Sequence, residues 1–117
     1  MYDNLYCKIY LNSSLDIEEL YKCINCIVQG QAEPIRTVKA RWGEIDLRKN
    51  SDFEPKMLEK TPDDFIFWKY YLDIEPQKGI EQAKYINQIS RLIEELNLRN
   101  IKAIASCDFE DILKCFK

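Results

Sequence analysis

The chain is predicted to be an α+β domain, with two helices on one face of a four-stranded antiparallel sheet and a short C-terminal helix. Three observations predict it. Apolar residues alternate with period two in Leu5–Leu11 and again in Phe65–Ile74. They recur at helical spacing in 15–29 and again in 80–98. Turn residues punctuate the stretches between them.

In the first strand Leu5, Cys7, Ile9 and Leu11 share a face, and Tyr6, Lys8 and Tyr10 take the other. Asn12-Ser13-Ser14 supplies a turn and an N-cap for the first helix, from Leu15 to Gln29. Its stripe is Ile17, Leu20, Tyr21, Ile24, Ile27 and Val28, and Gly30 terminates it. Arg36–Leu47 reads as one second strand whose apolar face changes phase at Gly43, a bulge or sharp bend. Residues 50–64 carry Pro55, Pro62 and five acids, and read as an acidic loop with room for one helical turn. The third strand spans Phe65–Ile74, with Ile66, Trp68, Tyr70, Leu72 and Ile74 on its apolar face and Pro76 as its stop. The second long helix follows Gly79 and buries Tyr85, Ile86, Ile89, Leu92, Ile93 and Leu96. A fourth strand, Ile101–Ser106, and a short helix, Phe109–Phe116, complete the chain.

This β-α-β-β-α-β order is that of the ferredoxin-like sandwich. There the first and third strands are central, and the third and fourth run the same way. Two acidic motifs, Leu72-Asp73-Ile74-Glu75-Pro76 and Cys107-Asp108-Phe109-Glu110-Asp111, are therefore expected at one edge of the sheet.

A length of 117 residues suits a single domain, 1–117, with one core. No apolar run reaches the roughly 18 residues of a membrane span. Met1-Tyr2-Asp3-Asn4 lacks a basic, apolar leader, so a cytoplasmic protein is expected, with no membrane partner. The net charge of −3 argues against nucleic acid as a partner, since phosphates call for a basic face. Cys7, Cys23, Cys26, Cys107 and Cys115 are odd in number and scattered, as expected of reduced cytosolic thiols.

The chain has no histidine. Imidazole bases, imidazole metal ligands and Ser-His or Cys-His nucleophile pairs are thereby removed. Cys23-Ile24-Asn25-Cys26 sits past the middle of its helix, not at an N-terminus that would acidify a thiol, and no further cysteine pair or histidine completes a zinc site. Glycine-rich phosphate loops are absent as well, so neither a catalyst nor a cofactor or metal site is expected.

The acidic edge itself admits three uses: a divalent-cation site, an acid and base pair, or a surface for a basic protein. Helix capping by each carboxylate is the plain alternative. The open sheet face is a second candidate, with Tyr6, Tyr10, Phe67 and Tyr71 interleaved with Lys8 and Lys69. Such a face resembles an RNA-binding sheet but lacks its glycine-aromatic pattern, and exposed aromatics mark a protein interface or a homodimer instead.

The segments Phe67–Pro76 and Ile101–Asp111 resemble small bacterial immunity proteins of polymorphic or contact-dependent growth inhibition toxin systems. The resemblance covers the C-terminal half. It implies a non-catalytic protein that binds a cognate toxin domain in the cytoplasm and occludes it. Asp73, Glu75, Asp108, Glu110 and Asp111 are then the partner-binding carboxylates, with Phe67 and Tyr71 as anchors. The alternative is a small ferredoxin-like ligand-binding or regulatory module that homodimerises through its sheet face.

Overall fold

Alternation buries Cys7, Ile9 and Leu11 on one face of the first strand, β1 (Cys7–Asn12). A computed structural model of the chain describes residues 2–116, with side chains from 2 to 113. Cys115 therefore lies outside the described side chains.

After β1, Asp16 starts helix α1 (Ile17–Val28) with a capping box: its carboxylate accepts from the Glu19 amide at 2.9 Å while Glu19 reaches back to the Asp16 amide. Gln29, not Gly30, takes the left-handed cap, at φ 52°. Ile17, Leu20 and Ile24 face the sheet. The chain continues through β2 (Gln31–Glu33), β3 (Thr37–Lys39), β4 (Gly43–Lys49), α2 (Pro55–Lys60), a 3₁₀ turn (Phe65–Phe67) and β5 (Tyr70–Pro76). Helix α3 (Gln82–Leu98), β6 (Lys102–Ser106) and a C-terminal 3₁₀ helix (Glu110–Phe116) follow.

The described residues form one antiparallel sheet of six strands, in the order β2-β3-β4-β5-β1-β6, where four were expected. The stretch 36–47 is two strands. Ala40 and Gly43 exchange backbone hydrogen bonds of 2.9 and 3.4 Å around Arg41-Trp42, closing a tight hairpin between β3 and β4. Gly43 opens β4, and a side chain there would meet the Glu75 carbonyl oxygen at 2.6 Å. It is the close approach of β5, not a bulge, that calls for glycine. The second addition, β2, is held by Tyr21 on α1, whose hydroxyl donates to the carbonyls of Glu33 (3.2 Å) and Thr37 (2.8 Å).

The third strand also differs from expectation. Phe65–Phe67 turns as a 3₁₀ segment, and pairing begins only at Tyr70. Asn50 explains the change. Its buried side chain donates to the carbonyls of Ile66 (2.9 Å) and Trp68 (2.6 Å), and its amide donates to that of Lys69 (2.8 Å). These carbonyls are satisfied by one side chain and one amide, so no neighbouring strand is needed. Ile66 consequently leaves the apolar face and is exposed.

Helices α1 and α3 cover one sheet face. Their stripes pack with Ile9, Leu11, Ile45, Leu47, Leu72 and Ile74 into one core, and all six residues named for α3 are buried. Each such side chain contributes about 1.5–3 kcal/mol by leaving water. A one-residue slip of β1 or β5 would turn this set to solvent, so burial fixes the register that positions the opposite face. No helix among the described residues is long and apolar enough to cross a membrane.

Candidate functional site

The sheet face away from the helices carries the polar alternates of the same strands. On it Lys8 stands opposite both Asp73 and Ser106, Asp73 opposite Asp46, and Asp46 opposite Thr37. A second row joins Ile104, Tyr10, Tyr71 and Arg48. A third sets Lys39 opposite Glu44 and Glu44 opposite Glu75.

Most of these charges are locally served. The Tyr6 hydroxyl donates to Asp73. Thr37 donates to Asp46 at 2.5 Å, and Arg48 lies 3.8 Å from its other oxygen. The Lys8 ammonium sits 4.2 Å above the Tyr71 ring and 5.1 Å from that of Tyr10. Glu44 and Glu75 are different. They are exposed, directly opposed and of like charge, and neither carboxylate has a hydrogen-bond or ion-pair partner among the described residues. Lys39, the one cation opposite Glu44, lies 3.9 Å from Glu33.

Strands β5 and β6 both run antiparallel to β1, so their C-terminal ends emerge at the same end of the sheet. Glu75 is at the end of β5, and Asp108, Glu110 and Asp111 lie just beyond β6. The two groups share that end without touching: no hydrogen bond joins them, and no three acidic or thiol side chains converge as a metal site would require, among the described residues. Asp73 lies on the open face, half-buried against Tyr6. Glu110 accepts from the Cys107 amide at 3.2 Å, a local capping contact. Asp108 and Asp111 are exposed and make no such bond. Helix α3 begins at Glu81 without a side-chain cap, so neither Asp73 nor Glu75 serves its N-terminus.

The two expected anchors separate. Tyr71 lies on the open face, under the Lys8 ammonium. Phe67 falls in the 3₁₀ turn and off the sheet, because the chain turns before β5. Its neighbour Phe65 reaches back over the face instead, with its ring 5.2 Å from that of Tyr10. Glu44, Asp46 and Arg48 were missed as members of this face. The alternation Glu44, Asp46, Arg48 against Ile45 and Leu47 was the signal that could have found them.

Two phenols respond to this setting. Burial, then the Asp73 carboxylate, holds the Tyr6 hydroxyl well above its ordinary value of 10.0. Burial, then the neighbouring Cys7, Glu75 and Cys107, does the same to Tyr85, whose hydroxyl donates to the Leu5 carbonyl at 2.6 Å. A raised folded-state value means that the stability contributed is fully present below pH 10 and is lost as pH climbs through the folded values. Thermal melting from pH 8 to 11.5 should thus show a falling midpoint above about pH 10, with a shallower fall in Tyr85→Phe. An identical alkaline slope in the variant would remove Tyr85 from this role.

Two cavities, of about 750 and 630 Å³, lie along α3 and the Arg41-Trp42 turn, and none of the candidate carboxylates lines them. In comparisons with protein-family models, curated proteins and solved structures, no match to the chain was found.

Proposed function

We propose that this chain is a non-catalytic protein-binding protein, an immunity protein that acts in the cytoplasm by binding a cognate bacterial toxin domain and occluding it. The opposed pair Glu44 and Glu75 carries this reading. Like charges directly across two strands destabilise a sheet, and no hydrogen bond or ion pair among the described residues relieves these two. A basic partner surface would supply the missing cations, speed encounter and select the partner. Asp73, Asp108, Glu110 and Asp111 extend the same field, while Tyr71, one row from Asp73 on the open face, offers an aromatic contact of the kind enriched at interfaces.

The order β4-β5-β1-β6, with α1 and α3 on one face, supports reading the core as ferredoxin-like, extended by the β2–β3 hairpin. A second reading, a regulatory module that homodimerises through the sheet, is favoured by β6: it forms one end of the sheet and carries the exposed Ile104 beside Tyr10.

Cells producing a toxin domain found in a neighbouring reading frame should survive when the chain is co-expressed, and the purified pair should sediment as a heterodimer. Continued killing, or a stable homodimer that ignores the toxin domain, would favour the module.

A further inference from the structure

Cys7 and Cys107 stand in a relation that the binding reading does not use. The β1–β6 ladder pairs Ile9 with Ala105 and Lys8 with Ser106, so one step further brings position 7 opposite position 107. Directly opposed residues of antiparallel strands have Cα atoms about 4.5–5.5 Å apart, within the range of about 4.4–6.8 Å that a disulfide spans. Both cysteines are free thiols, Cys7 within the core cluster and Cys107 packed against it.

The two sulfurs are unequal. Cys7 is fully buried, whereas Cys107 is only partly buried where the chain leaves β6. The hydrogen bond from Cys7, joined by the Phe109 amide, holds the Cys107 thiol below its ordinary value despite its burial and the nearby Glu110 and Asp108 carboxylates. The same hydrogen bond, with burial, pushes Cys7 up. One sulfur is therefore reachable and thiolate-prone, and the other waits behind it. Cys23 and Cys26 on α1 lack this arrangement: burial raises Cys23, and Cys26 is exposed.

We propose that Cys7 and Cys107 form a reversible thiol-modification site that takes low-molecular-weight disulfides of the glutathione class. The Cys107 thiolate attacks one sulfur of the small disulfide, forms a mixed disulfide and expels one small thiolate. Cys7 passes its proton to that thiolate, and its sulfur attacks the Cys107 sulfur, expelling the second small thiolate. Two protein thiols are oxidised to one disulfide, one small disulfide is reduced to two thiols, and an excess of small thiol reverses the exchange. The bond ties β1 to the turn between β6 and the C-terminal 3₁₀ helix, and so fixes the start of the segment bearing Asp108, Glu110 and Asp111. The chemistry is independent of whether that segment binds a protein.

The test uses the full chain carrying Cys23→Ser, Cys26→Ser and Cys115→Ser, incubated in reduced and oxidised glutathione of varied ratio. Intact mass should fall by about 2 Da, the loss of two hydrogens, with no retained glutathione. Peptide mapping should show Cys7 linked to Cys107, dithiothreitol should restore the mass, and the oxidised form should melt roughly 10 °C higher. In the same background Cys107→Ser, whose folding is checked by circular dichroism, should leave Cys7 unmodified at every ratio. Two thiols persisting in fully oxidised glutathione would overturn the proposal. So would a stable glutathione adduct on Cys107 while Cys7 is present.

Discussion

Asn50→Ala is expected to lower stability by about 3 kcal/mol and the melting midpoint by roughly 10 °C. The native side chain is buried and donates to two carbonyls, those of Ile66 and Trp68, while its oxygen accepts from the Asp52 amide at 3.1 Å. Alanine keeps the backbone bonds of residue 50 but leaves both carbonyls without their donor. The buried Trp68 carbonyl, once orphaned, costs about 1–3 kcal/mol, and the part-buried Ile66 carbonyl adds less. The damage should spread along 62–68, since the Trp68 indole donates to the Pro62 carbonyl at 3.0 Å and Phe65 packs on both Trp68 and Tyr10. A red shift of tryptophan emission before the main transition is the local readout. Ser51→Ala, at an exposed neighbour, is the control and should stay within about 0.5 kcal/mol of the parent. Equal melting of Asn50→Ala and the parent would mean that Asn50 does not hold the turn.

The second large effect is on association. Glu75→Lys should slow binding of a basic partner roughly tenfold at low salt, because one reversed charge alters the local field by two units. The same change should raise the melting midpoint of the free chain slightly, by up to about 0.5 kcal/mol in stability. It replaces a like-charge cross-strand pair by an opposite-charge one facing Glu44. Both positions are exposed, so salt should screen the two effects together. The opposite signs are diagnostic. A surface pair without a partner would give the stability gain alone, and a structural pair would give a loss.

Much of this arrangement was legible in the sequence because burial writes itself as periodicity. The stripe Tyr85 to Leu96 and the alternation of β1 each have one phase that hides every apolar side chain, and both are found in that phase. The hairpin between β2 and β3 was not legible. Its turn, Pro34-Ile35-Arg36, carries no glycine or asparagine, yet Ile35 and Arg36 take φ of 60° and 56°. A β-branched residue in that region is disfavoured, so local chemistry pointed elsewhere, and it is the Tyr21 anchor and the Arg36–Glu18 ion pair at 3.0 Å that hold the hairpin.

The start of β5 failed for a different reason. Alternation continues through 65–69, but a remote asparagine takes the hydrogen bonds a strand would have made. At the acidic end, the order of elements already implied that the ends of β5 and β6 would emerge together. The opposition of Glu44 and Glu75 needed the β4–β5 register, which depends on the hairpin at Arg41-Trp42 and the glycine contact at Gly43.

The most direct measurement of whether the acidic end binds a basic protein is the salt dependence of the association rate with the proposed toxin domain. The native chain should associate fast at low salt and slow steeply as salt rises, while Glu75→Lys starts lower and follows a flatter line. Equal rates and equal slopes for the two chains would contradict a partner-binding role for this end of the sheet.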